Sequence, residues 1–142
     1  MPPPEPPALA GAAVLAGLAG LHALWGTGSS WPVADRSRLA EVVAGTEQVP
    51  PPAACFVVAG ALATAAALVA GTGGSHPVAR VGRAGVTAVL TARGLAGVTG
   101  RTRLLVPWTP SPGFVALDRR RYGPLCLALG AAAATSLVPR RR

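Results

Sequence analysis

Eight side chains in this 142-residue chain have the chemistry to bind or to react: His22, Trp25, Trp31, Cys55, Arg93, Asp118, Tyr122 and Cys126. An imidazole exchanges a proton near neutral pH. A guanidinium facing a carboxylate gives a two-toothed anchor. Indole and phenol rings offer flat apolar faces with one polar edge. His22, Trp25, Trp31, Arg93, Asp118 and Tyr122 therefore form the candidate ligand-binding set. Cys55 and Cys126 form a separate candidate redox pair. Against that pair, there is no CxxC spacing, and both flanks are apolar, which raises a thiol's pKa and leaves it inert. No Cys, His and Asp spacing suits a metal ion. Gly71-Thr72-Gly73-Gly74 follows no strand and so is not a phosphate loop. Neither a hydrolase nor a kinase signature is present. The sequence offers no catalytic residues, no metal site and no cofactor.

The elements that must hold these groups are legible in the gaps between charges. Residues 6–34, 48–79 and 122–139 carry no formal charge. A bilayer core about 30 Å thick needs roughly 20 apolar residues per helix. The expected spans are 8–26, 53–71 and 123–138, the last of them short. A fourth, over 81–100, has Arg83 near its start and Arg93 inside it. Arg83 can snorkel to the headgroups. Arg93 cannot do so easily, and a central Arg costs about 2.5–3.5 kcal/mol. Ala84, Ala88, Ala92, Ala96 and Gly100 recur every four residues along this segment, the smooth stripe that lets helices approach closely in lipid. The expected fold is all-α: a single-domain, integral membrane four-helix bundle over residues 1–142. The soluble alternative, an Ala-rich bundle, needs a polar face on each helix, and 56–70 has none beyond Thr64.

Composition agrees. Hydrophobic residues make up 51% of the chain and charged residues only 13%, against about a quarter in soluble domains. The net charge of +8 comes from 13 Arg and no Lys. With a mean hydropathy of +0.46, such a charge fits anionic headgroups better than nucleic acid. The amino-terminal Pro-rich stretch holds one acid and no base, unlike the start of a secretory signal, so the first helix is expected to be a retained anchor.

Four spans leave a long first loop, a short Gly/Ser second loop and a long third loop. The first, 27–52, contains 35–43, a candidate amphipathic interfacial helix. The third, 101–122, is Pro-rich and carries five Arg. The two long loops share one side with each other, and the termini share the opposite side with the short loop. Seven Arg lie on the long-loop side and five on the other, which places the long loops in the cytoplasm, although Arg140, Arg141 and Arg142 pull the other way. All eight candidate side chains fall in or next to the long-loop leaflet. Asp118 is the expected partner of Arg93, with Glu41 or Glu47 next. Trp25, Trp31, Trp108 and Tyr122 also suit an interfacial aromatic belt, and the Arg run after Asp118 suits a headgroup-binding surface.

These residues resemble a bacterial family of small membrane proteins known as domain of unknown function 3995. The resemblance rests on Leu21-His22-Ala23-Leu24-Trp25-Gly26, Gly28, Trp31-Pro32, Arg93-Gly94 and the block from Phe114 through Asp118 and Tyr122 to Leu127. It departs most in the Pro-rich third loop, and in Gly123, where the family tends to have Ser. It implies four helices in a membrane and supplies no activity. The leading expectation is a non-enzymatic inner-membrane protein. It would bind a lipid, small ligand or partner subunit on the long-loop face, alone or as a homo-oligomer. A membrane-embedded enzyme or thiol-redox protein, and a small oligomeric transporter, are the alternatives.

Overall fold

The computed structural model describes residues 5–138; the expectations placed on residues 1–4 and 139–142 lie outside it. Every element among the described residues is helical: α1 (Pro6–Gly26), α2 (Arg36–Ala44), α3 (Pro52–Val69), α4 (Pro77–Val98), a 3-10 turn (Thr102–Leu104), α5 (Pro112–Leu117), a π-helical turn (Asp118–Tyr122) and α6 (Gly123–Thr135). Proline stands at the first or second position of α1, α3, α4, α5 and α6. Its fixed φ suits the first helical turn, where its missing N–H has no intrahelical acceptor to lose. Prolines thus mark where these helices begin.

The four long helices lie side by side and alternate in direction. α1 packs along α3, α4 along α6, and α1 also touches α6. Gly26 at the end of α1 meets Phe56 at the start of α3, and Gly11 near the start of α1 meets Ala132 near the end of α6. A core of Ala8, Ala12, Leu15, Ala66, Val69, Leu129 and Ala133 closes the end that holds the chain's first helical turn. Trp25, Leu39 and Cys55 close the opposite end, where α2 folds under the long helices. The segment expected as an interfacial helix is α2. Asp35 caps it by accepting from the Arg38 N–H at 2.8 Å, and Gly45 ends it at φ 68°, the left-handed conformation glycine adopts without penalty.

Two of the four expected spans, α1 and α3, are long and apolar enough to cross a membrane. The other two fall short by length and composition: α4 carries Arg80, Arg83 and Arg93, and α6 has 13 residues. The third loop is also more ordered than a Pro-rich sequence suggests. The chain turns helical again at Pro112 and stays so through 112–135, which places Asp118 and Tyr122 on a helix and not in a loop.

The packing face of α4 corrects the sequence reading. Ala84, Ala88 and Ala92 are exposed. The face turned to α6 instead runs through Gly94 and Gly97, which meet Leu127 and Gly123. A side chain on Gly97 would stand 2.9 Å from the Cα of Gly123, and one on Gly123 would stand 2.7 Å from the Val98 nitrogen. In an Ala-rich chain a four-residue recurrence arises on any face. Glycine is required only where backbone meets backbone.

Candidate functional site

The eight candidate residues do gather at the long-loop end, but Trp31 stands apart on the surface and the others divide between two places. The first is a buried ion pair. Arg93 on α4 donates from both terminal nitrogens to the two carboxylate oxygens of Asp118, at 2.7 and 3.1 Å. Asp118 is fully buried, and the Arg93 side chain is 29% exposed. The hydroxyl of Thr102, itself buried, donates to the same carboxylate. Three charge-assisted donors thus offset the desolvation of one carboxylate. A side chain on Gly97 would sit 3.0 Å from both an Arg93 nitrogen and an Asp118 oxygen, so this glycine, one turn after Arg93, keeps the crossing open. Glu41, the second-choice partner, instead pairs with Arg38 on the surface of α2 at 2.6 Å. Glu47 lies elsewhere, at the pocket described below.

The carboxylate reaches Arg93 from the π-helical turn, whose extra residue per turn is a feature frequent at functional sites. From the same turn the Tyr122 hydroxyl donates to the Val42 carbonyl at 2.8 Å, and the Trp108 indole N–H donates to the Ala44 carbonyl at 2.9 Å. These carbonyls belong to the last turn of α2, which has no intrahelical donors for them. The Ser111 N–H bonds the Gly45 carbonyl at 3.0 Å. The two long loops are therefore knit together. Arg119, Arg120 and Arg121 point outward from this turn.

The second place is an open pocket of about 790 Å³ between the end of α1, α2 and the start of α3. His22, Trp25, Cys55 and Trp108 line it with Leu39, Val43, Val49, Ala54 and Val58, and Glu47 stands at its edge. His22 Nδ1 donates to the Leu18 carbonyl at 2.8 Å, one turn back. Its ring leans on Trp25, with centroids 4.8 Å apart. The Trp25 indole N–H donates to the Trp31 carbonyl at 2.7 Å. Trp31 itself is 63% exposed and does not line the pocket. Arg93, Asp118 and Tyr122 do not line it either.

Both cysteines are free thiols. Cys55 sits at the pocket with its Sγ 3.9 Å from the Pro50 carbonyl, whereas Cys126 lies in α6 on the Arg93 side. Among the described residues, no three His, Cys, Asp and Glu side chains cluster to hold a metal.

Sequence reasoning missed three participants. Thr102 joins the ion pair with no periodic signal to announce it. Gly97 was read only through its alanine neighbours. Arg83, expected to snorkel to headgroups, is instead 5% exposed. It donates to the carbonyls of Leu68, Thr72 and Gly74 at 2.7–3.0 Å, clamping the turn between α3 and α4. That turn presents main-chain carbonyls close to α4, a nearer set of acceptors than any headgroup.

A family model described as "Protein of unknown function (DUF3995)" matches residues 15–133. The match runs from within α1 to within α6, and so takes in the pocket, the ion pair and the π-helical turn. No curated protein and no solved structure matches the chain.

Proposed function

The chain belongs to the DUF3995 family, and we propose that it is a multi-pass plasma-membrane protein, a four-helix bundle that binds a small amphipathic molecule at its long-loop end without catalysing a reaction. Two observations support the membrane half of this reading. Only 22% of the apolar window of α3, and 33% of that of α1, is buried inside the protein. Each of the long helices turns large apolar residues outward, among them Val14, Val57, Val89 and Leu125. In water such a surface would exceed the few hundred Å² a soluble monomer exposes; in lipid it is the solvated face.

The arginines of α4 do not oppose this. Arg83 and Arg93 spend their donors on the turn carbonyls and on Asp118, while Arg80 lies in the first turn, at headgroup level. At 22 residues α4 is about 33 Å long, enough to cross. α6 is about 20 Å long and enters the bilayer near Tyr122, behind the outward Arg run. That run, with the remaining loop arginines, suits anionic headgroups on the cytoplasmic face.

The single observation that carries the binding half is the pocket. Its volume lies in the range of small-molecule sites, and its apolar walls carry only a few polar groups. Native mass spectrometry of the protein released from nanodiscs tests it. The expected result is a retained small molecule or lipid on the natural chain. Ala54→Trp, which fills the pocket from α3, should lose it. Retention that is identical in both forms, or absent from both, overturns the binding reading.

A further inference from the structure

Few polar side chains line the pocket, among them Thr46, Glu47 and Gln48. Both indole N–H donors at its wall are already used, by the Trp31 and Ala44 carbonyls. The Nδ1 proton of His22 is committed to Leu18. The Thr46 hydroxyl donates to the Gln48 carbonyl; what remains are the side-chain amide of Gln48 and the carboxylate of Glu47, which makes no hydrogen bond or ion pair among the described residues. None of the described arginines lines the pocket, and among the described residues that do, Glu47 carries the only formal charge. The indole rings of Trp25 and Trp108 stand in the same wall. With their N–H edges occupied, what they offer a ligand is electron-rich ring face, which attracts cations.

From this we infer that the ligand is an amphipathic organic cation: an ammonium or quaternary ammonium head on an apolar tail. The inference rests on the proposed binding role of the pocket and assigns its chemical class. The cationic head takes the edge beside Glu47 and the aromatic faces. The tail takes the apolar wall toward Val58, which is itself partly exposed on the outer side of α3. A fatty acid or a phosphodiester lipid is disfavoured at this position, because its anionic head would face the Glu47 carboxylate, the only formal charge among the residues that line the pocket.

The test uses the full chain in nanodiscs of zwitterionic lipid, with Trp fluorescence and native mass spectrometry as readouts. Three probes share a twelve-carbon tail: dodecyltrimethylammonium, dodecanoate and uncharged dodecyl maltoside. Saturable one-to-one binding of the cation is expected, about tenfold tighter than that of dodecanoate. Glu47→Gln should weaken the cation about three- to fivefold and leave dodecyl maltoside unchanged. Glu41→Gln, away from the pocket, should change neither. Dodecanoate binding as tightly as the cation, or a Glu47→Gln protein with the same charge preference, overturns the inference and leaves the pocket a binding site for some other amphiphile. Failure of all three probes to bind, with Ala54→Trp indistinguishable from the natural chain, overturns the binding role and the cation class together.

Discussion

Arg93, on a helix that crosses the protein, donates two parallel hydrogen bonds to Asp118, on a turn that belongs to a loop-borne helix. The pair therefore joins α4 to the long-loop cap. Removing one partner leaves the other as an uncompensated charge in an apolar place, which costs about 3–5 kcal/mol. Asp118→Ala and Arg93→Ala should each lower thermal stability in detergent by that order. Because Asp118 is fully buried and Arg93 only partly so, Arg93→Ala, which strands the carboxylate, belongs at the upper end and Asp118→Ala at the lower. Asp118→Leu combined with Arg93→Met should recover most of the loss, since no charge is then stranded. Thr102→Val removes one donor at nearly constant volume and should cost about 2 kcal/mol. A double-mutant cycle from denaturation midpoints measures all of these.

The glycines of α4 should divide by where they face. Gly97→Ala pushes a methyl group into the backbone of Gly123 and into the ion pair. It should destabilise by about 1–3 kcal/mol. Gly85 has open space where its side chain would stand, so Gly85→Ala should be neutral or gain up to about 1 kcal/mol. Scanning calorimetry or dye-monitored melting of the two variants side by side separates them.

Arg83 holds three carbonyls at once, so its loss should show first in the turn it clamps. Arg83→Met keeps the apolar stem and drops the donors, at a cost of about 3 kcal/mol. Lysine cannot reach three acceptors with a planar fork, and Arg83→Lys should recover less than half of that. Hydrogen exchange across residues 70–76 is the measurement. Unchanged protection there in Arg83→Met would refute the clamp.

Sidedness is open to chemical labelling. In a Cys55→Ser, Cys126→Ser background, Leu104→Cys lies on the highly exposed 3-10 turn and Ser75→Cys on the opposite short turn. A membrane-impermeant maleimide should modify Leu104→Cys only in inverted vesicles and Ser75→Cys only in right-side-out cells. The reverse pattern would place the long loops outside.

Much of this architecture could be read from the chain because charge is so scarce in it. With five acidic residues in all, an arginine inside a helix had few possible partners, and Asp118 stood at a compatible depth. Prolines mark five helix starts, but the expected third span, taken from 81, began four residues past Pro77. The stripe of alanines misled for the opposite reason: in a chain built of alanine, a small residue carries little information about which face is buried, and only glycine does. The division of the candidate residues between a pocket and an ion pair was not legible either. It depends on where α2 folds and on Trp108 and Tyr122 closing over its last carbonyls, contacts between segments more than 60 residues apart. Arg83 escaped because its acceptors are main-chain carbonyls of a turn, which no side-chain pattern encodes.

The π-helical turn makes the length of one short stretch matter as much as its composition. Asp118–Tyr122 spends five residues on nearly the rotation that four spend in an α-helix, so one surplus residue is absorbed before α6 begins. Deleting any one of Arg119, Arg120 or Arg121 would let the segment relax to regular α-helix and leave α6 facing almost as before, with Gly123 at Gly97 and Leu129 in the core. A further inserted residue has no such slack and would turn α6 by about 100°. Among relatives of this chain, single-residue gaps within the run should be tolerated and insertions rare.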